Sequence, residues 1–310
     1  MPSPWHGRGL ALAALLLLAT LRFALAEVAV VATTPDLTSL TEAVGGGLVR
    51  VVNLVPPGTD AEAFEPRPGD LLRLRDAALI VRVGLGFDDW LDPLLAQHGD
   101  PRLMRGGTGQ VDASTGIPLL EVQGRSVEIQ SGGHAHGLAN PHYWLDPGNA
   151  GTITAAITEG LARVDPDHAA RFAENRRRFL AVLAERIAVW EARLAPYAGA
   201  GVVTYHNGWP YFARRFRLNI VAVIEPKEGV PASPVRLARI AGAMRQANAK
   251  TILIEPQEPR EAAEAVASRG GAAVAVLAGS VGGLPGAEDY ISLFDTDTAA
   301  LLRALQHQGA

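Results

Sequence analysis

Two histidines and three glutamates stand where side chains can reach a common ligand. His142 lies in the run NPHYWLDP, residues 140–147, where two prolines and two aromatic rings stiffen the chain and hold the imidazole in place. His206 follows the apolar run Gly201–Tyr205 and precedes Asn207-Gly208-Trp209-Pro210. Glu225 and Glu255 each close an apolar run and precede a proline, in VIEP and LIEP, and Glu62 lies in GTDAEAFEPRPGD after the run ending at Val55. Imidazole nitrogens and carboxylate oxygens are ligands for divalent metals and are also groups for acid–base catalysis. Each has a plainer reading when taken singly. A histidine among aromatic rings packs, and a glutamate at a strand end can serve helix entry. Their coincidence at strand ends in both halves of the chain is what points to one shared cleft, because ligands of α/β sheets bind at the carboxyl ends of the strands.

Other chemistries leave no trace. There is no GxxxxGK[ST], no GxGxxG between a strand and a helix, no GxSxG and no HExxH. The chain has no cysteine, which excludes disulfides, thiolate metal sites and an acylated cysteine. With 28 Lys+Arg against 32 Asp+Glu it lacks the basic excess of a nucleic-acid binder. His134 and His136 lie in the polar, Gly-rich stretch 123–140 and read as solvated loop.

The elements that must position these groups form two series. Short β-branched runs at Val28–Ala32, Val49–Val55 and Leu79–Val83 read as buried parallel strands, with helices at Leu37–Val44, Asp70–Arg75 and Asp88–Leu95. The second series places strands at Val202–Tyr205, Ile220–Ile224, Thr251–Ile254 and Ala273–Leu277. Its helices fall at Pro210–Phe216, Pro234–Ala247, Glu261–Ser268 and Thr298–Gln306. Between them, Phe172, Phe179, Leu183, Ile187, Trp190 and Leu194 keep a helical period, with Asp165 as a cap and Pro166 in the first turn. A helix from Pro166 to Ala195 would run about 45 Å, longer than one small lobe is wide. The expected fold is therefore α/β with two lobes, each a small parallel sheet with flanking helices, joined by one long strut helix. The expected divisions are 27–163, 164–196 and 197–310.

The first 26 residues read as an address label. Leu10 to Leu21 is apolar except for one threonine, too short for a membrane span, and it leads to Ala24-Leu25-Ala26. Cleavage after Ala26 removes Arg8 and Arg22, taking the formal charge from −4 to −6. The expectation is an exported, free periplasmic protein.

The whole mature chain resembles the cluster A-I solute-binding proteins of ABC transporters, which capture zinc, manganese or iron(II). The resemblance runs through VVATTPDLTSLTEAV, LVPPGTDAEAFEPRPGDLLRLRDAALIV, NPHYWLDP, the long helix, VVTYHNGWPYFARRFRL and the Tyr290 region. It implies one divalent ion held in the interlobe cleft by four ligands, with zinc first and manganese next as cargo. It also implies delivery to an ABC permease by a monomer that is not an enzyme. His142 and His206 match the second and third ligands. Glu62 takes the place of the first, commonly a histidine. At the place of the fourth, commonly an aspartate, LAGSV offers Gly279. Glu225, Glu255 or a water must then complete the set. Glu255 matches a glutamate of supporting role, so Glu225 is the favoured substitute. The rival readings are a periplasmic metal chaperone or buffer, and a zinc hydrolase with water at the open position.

Overall fold

The computed structural model describes residues 27–121, 139–227 and 229–306. The expected leader, His134 and His136 lie outside the described residues. The order of elements in the first half is β1 Val28–Ala32, α1 Pro35–Gly45, β2 Val49–Asn53, α2 Asp70–Leu74, β3 Leu79–Arg82, α3 Leu91–His98, β4 Gln110–Asp112 and α4 Ala150–Val164. The long helix α5, Ala169–Leu194, follows. Then come β5 Gly201–Thr204, α6 Pro210–Phe216, β6 Asn219–Val223, α7 Pro234–Gln246, β7 Thr251–Ile254, α8 Arg260–Gly270, β8 Ala273–Val276 and α9 Tyr290–Gln306.

Both sheets are parallel and share one topology, β2-β1-β3-β4 and β6-β5-β7-β8. Strands such as VAVVA and LIVR are buried along most of their length, as parallel strands covered on both faces must be. Because β1 lies between β2 and β3, and β5 between β6 and β7, chain connections leave to opposite sides at each sheet's centre. That is where an open α/β sheet forms a crevice at its carboxyl edge.

Two elements escape the sequence pattern. β4 has only three residues, directly after the glycines of 106–109. α4 is rich in Ala, Gly and Thr, and its apolar stripe of Ile153, Ile157 and Leu161 is thin. Gly160 explains part of that composition: a Cβ there would stand 2.3 Å from Val111 Cγ2, so only glycine lets α4 lie against β4. The last helix begins at Tyr290 rather than Thr298. Its buried Asp297 and Thr298 make the helix look polar in sequence, yet both are bonded inside.

The long helix runs within the expected span. Residues 166–168 and 195–197 are short 3-10 turns, and α5 itself covers 26 residues, or about 39 Å. Asp165 does not cap backbone N–H groups; its carboxylate bonds His168 Nδ1 at 2.7 Å instead. α5 packs on α1 and α4 of the first half and on α9 of the second. One continuous apolar core follows it, from Val30 and Leu40 through Phe172 and Trp190 to Phe294 and Leu277. Smaller cores lie under α7 and α8 and between β3 and α3. Among the described residues no helix is long and apolar enough to cross a membrane.

Trp190 links α5 to α9. Its indole is fully buried, donates to Asp295 at 2.7 Å and packs on Phe294 with ring centroids 5.3 Å apart. Trp190→Ala should cost about 3–5 kcal/mol of unfolding free energy, measured by denaturant titration. A loss below ~1 kcal/mol would show that the two halves do not depend on this contact.

Candidate metal centre

Among the described residues one group brings three potential metal-ligating side chains together: Glu62, His142 and His206 each offer an atom within 4.8 Å of the others. The Glu62 carboxylate bridges the histidines. Its Oε1 lies 3.7 Å from His142 Nε2 and its Oε2 3.5 Å from His206 Nε2. The rings themselves are 5.2 Å apart between centroids. Gly208 permits that approach, since a Cβ there would stand 3.3 Å from His142 and 3.4 Å from His206.

Each histidine is held from behind. His206 Nδ1 is 2.8 Å from Glu225 Oε2, and the other Glu225 oxygen accepts the backbone N–H of Gly229 at 2.7 Å. His142 Nδ1 is 3.2 Å from Asn140 Oδ1, which also accepts the His142 backbone N–H at 3.0 Å. An acceptor behind Nδ1 fixes the tautomer with its proton there and leaves the Nε2 lone pair aimed into the cleft. Burial disfavours the His206 imidazolium, but the Glu225 hydrogen bond and the charges of Glu62, Glu255 and Glu225 outweigh it and raise the pKa to about 9.

The local sequence makes these positions inevitable once the sheets form. His206 follows β5 by two residues, Glu225 follows β6 and Glu255 follows β7, so three strand ends of one sheet deliver them to one rim. Glu62 comes from the β2–α2 connection of the opposite sheet. The 140–147 loop is braced from both lobes. Tyr143 donates to Val83 O at 2.7 Å, Trp144 Nε1 to Gly279 O at 3.2 Å, and Tyr290 to Trp144 O at 2.6 Å. Asp146 accepts from Arg215 at 2.6 Å. Phe87 packs edge-on against His142, and its turn is fixed by the buried Arg82–Asp88 pair.

The sequence-derived residues thus separate. Glu62, His142 and His206 converge. Glu225 stands on the Nδ1 side of His206 with both oxygens engaged, which is the place of an orienting acceptor. Glu255 lines the same cavity of about 310 Å³, against Gly279. Burial raises the Glu255 pKa, partly offset by the Gln257 hydrogen bond. The cavity lining holds Asp36, Asp60, Glu62, Glu225, Glu255 and Glu258, with no lysine or arginine among its described residues.

Sequence reasoning missed the groups that hold the Gly279 loop. Asp297 accepts from the N–H groups of Ala278 and Gly279, and Asp36 accepts from Ser280 Oγ at 2.6 Å and Val281 N at 3.0 Å. Burial raises Asp297 to about 7 and Asp36 to about 6. Asp297 had a signal: it shares the buried face of α9 with Leu293 and Leu301, where an unexplained carboxylate needs a partner. Asp36 had little, because an acid in a first helical turn reads as a dipole effect.

Residues 30–304 match the family model for the zinc-uptake complex component A, periplasmic. The high-affinity zinc uptake system protein ZnuA of Yersinia pestis is 28% identical over 261 residues, covering 79% of this chain and 80% of that one. A zinc-bound ZnuA deletion mutant superposes with a TM-score of 0.75 at 28% identity, over 90% of this chain and 98% of the other. The solute-binding protein FpvC of Pseudomonas aeruginosa, solved with Mn2+, does so with 0.77 at 27%, over 91% and 100%.

The backing of His206 is testable without any ligand. Glu225→Gln removes the charge that the imidazolium faces, so the His206 pKa should drop from about 9 toward the ordinary ~6.5. An NMR titration of the imidazole nitrogens reads this directly. An unchanged midpoint would mean that Glu225 does not hold the ring.

Proposed function

The chain belongs to the periplasmic zinc-uptake component A family, and from that premise we propose that Glu62, His142 and His206 bind its cargo, one divalent transition-metal ion. Zinc comes first and manganese next. The family is one of solute-binding proteins that hold metal and work with ABC importers, not of enzymes, and this chain is one of them. We further propose that residues 1–26 are a cleaved leader, that the mature protein is a free periplasmic monomer, and that it docks on the importer's permease. The divisions 27–163, 164–196 and 197–310 are proposed as lobe, linking helix and lobe.

The observation that carries the reading is the pair of imidazoles with acceptors behind Nδ1 and a carboxylate between the Nε2 atoms. Metal-ligating histidines need that arrangement, because the acceptor fixes the ring and raises its basicity. Two nitrogens and carboxylate oxygen without sulfur suit zinc, manganese or iron(II) and disfavour copper(I). A cleft so rich in carboxylates, with no lysine or arginine among its described residues, has a desolvation cost that a divalent cation offsets. With a 26-residue helix spanning both lobes, uptake and release are proposed to move loops rather than whole lobes.

Purified protein should take up about one zinc per chain. His142→Ala and His206→Ala should each weaken binding ~100-fold or more, or ~2.7 kcal/mol, in competition titrations against a zinc chelator. Near-parental affinity in either variant would refute the site.

Acid should release the ion. Nε2 of His206 must lose its proton to coordinate, and with that proton held up to about pH 9 it competes with metal through the neutral range. Zinc affinity should therefore fall by about tenfold per pH unit from pH 8 to pH 6. A flat profile would remove His206 from the ligand set.

A further inference from the structure

We propose that Glu121, which lies outside the converging group, is a positioning residue: it acts on His142 through the Asn140 side chain and ties the chain beside His142 to the chain beside His206. The inference rests on the metal-site reading above and concerns what orients the imidazoles, not which atoms bind the ion.

The Asn140 amide is buried and bonded at both ends. Its Oδ1 accepts the His142 backbone N–H at 3.0 Å and stands 3.2 Å from His142 Nδ1. Its Nδ2 donates to Glu121 Oε2 at 3.0 Å and to Asn207 O at 2.8 Å. An amide has one accepting end and one donating end, so the acceptors at Nδ2 decide which end meets the ring. Turned over, it would set N–H against the His142 backbone N–H and oxygen against two oxygens. A ring that faces the amide oxygen keeps its proton on Nδ1 and its lone pair on Nε2, toward the cleft; a ring that faces an amide N–H does the reverse. Glu121 thus sets the His142 tautomer at one remove. A carboxylate is a stronger acceptor than a neutral oxygen, and hydrogen bonds in series polarise one another, so its pull reaches the imidazole through the amide.

The same Oε2 accepts Asn207 Nδ2 at 2.9 Å. Asn207 follows His206 directly, so one carboxylate oxygen joins the neighbours of both histidines. Glu121 is exposed, yet its backbone is held from the inside. Leu120 donates its N–H to the Tyr211 hydroxyl at 3.0 Å and accepts from Asn140 N at 3.1 Å. Tyr211, fully buried on α6, in turn donates to Asn140 O at 3.2 Å. Glu121 has φ +54°, a left-handed conformation that a residue with a side chain adopts at a cost. Such strain persists where the surroundings over-determine it, and it collects at working positions. Here the surroundings are the Tyr211 clasp, and the work is the pair of asparagine bonds.

The test uses four forms of the purified full-length protein: parent, Glu121→Ala, Glu121→Gln and His142→Ala, the last of which also identifies the His142 signals. Nitrogen–proton correlation NMR of the imidazoles, recorded before zinc is added, reads which ring nitrogen of His142 carries the proton. Zinc affinity is then measured by chelator competition. Glu121→Ala should bring up the Nε2-protonated form of His142 and lose ~10-fold in zinc affinity, with thermal melting confirming that it is folded. Glu121→Gln keeps an oxygen of the same reach, so it should restore the parental tautomer and return to within ~3-fold of parental affinity. The proposal is overturned if Glu121→Ala keeps the parental tautomer, or if Glu121→Gln behaves as Glu121→Ala does. Failure of the metal reading looks different: His142→Ala would then bind zinc as the parent does, while the tautomer of His142 would still respond to Glu121→Ala.

Discussion

The hydrogen bond from His206 Nδ1 to Glu225 sets the terms for the whole cleft. It joins two neighbouring strand ends, β5 and β6, and turns the ring so that Nε2 faces the Glu62 carboxylate from the other lobe. Asn140 does the same for His142 with a neutral acceptor. The two backings are therefore unequal. A carboxylate behind an imidazole raises its basicity, and with the other charges of the cleft it takes the His206 pKa to about 9.

Such a convergence is useful only if the two sheets keep their separation. α5 and the core that follows it set the distance, and polar ties across the cleft set the alignment. Asp36 of α1 reaches Ser280 and Val281, Trp144 reaches Gly279, and Asp146 reaches Arg215 of α6. These bonds are partly or fully buried, where an unmatched partner costs on the order of 1–3 kcal/mol. A lobe rotation that broke several at once would be expensive.

Much of this was legible in the sequence. Seven of eight strands announced themselves because parallel strands covered on both faces must be continuous apolar runs, and the long helix announced itself by period and length. β4 and α4 did not, since a three-residue strand has no period and a helix built for close approach is written in glycine and alanine. The histidines stood out because aromatic and proline neighbours flanked them. The role of Glu225 did not follow from its position at a strand end. Whether a carboxylate faces the lone pair or the N–H of an imidazole depends on side-chain direction, which spacing along the chain does not encode. Asp36 and Asp297 act on a loop more than 240 residues and about 20 residues away, respectively, and only the fold shows what they hold.

Stiffness is distributed unevenly around the three converging side chains. His142 sits in a loop bonded to Val83 just past β3, to Tyr290 of α9 and to the Gly279 backbone, and His206 lies two residues past a central strand. Glu62 is placed by a largely exposed connection. That stretch is held by the Asp60 turn, by Trp90 donating to Ala61 O at 3.0 Å, and by Phe64 packed on the same indole. Opening energies in proteins scale with buried contacts and protected backbone bonds, so the 56–69 connection is the part of the rim that opens at least cost. Of the three converging side chains, the carboxylate is thus carried by the more exposed segment and the imidazoles by the more tightly bonded ones.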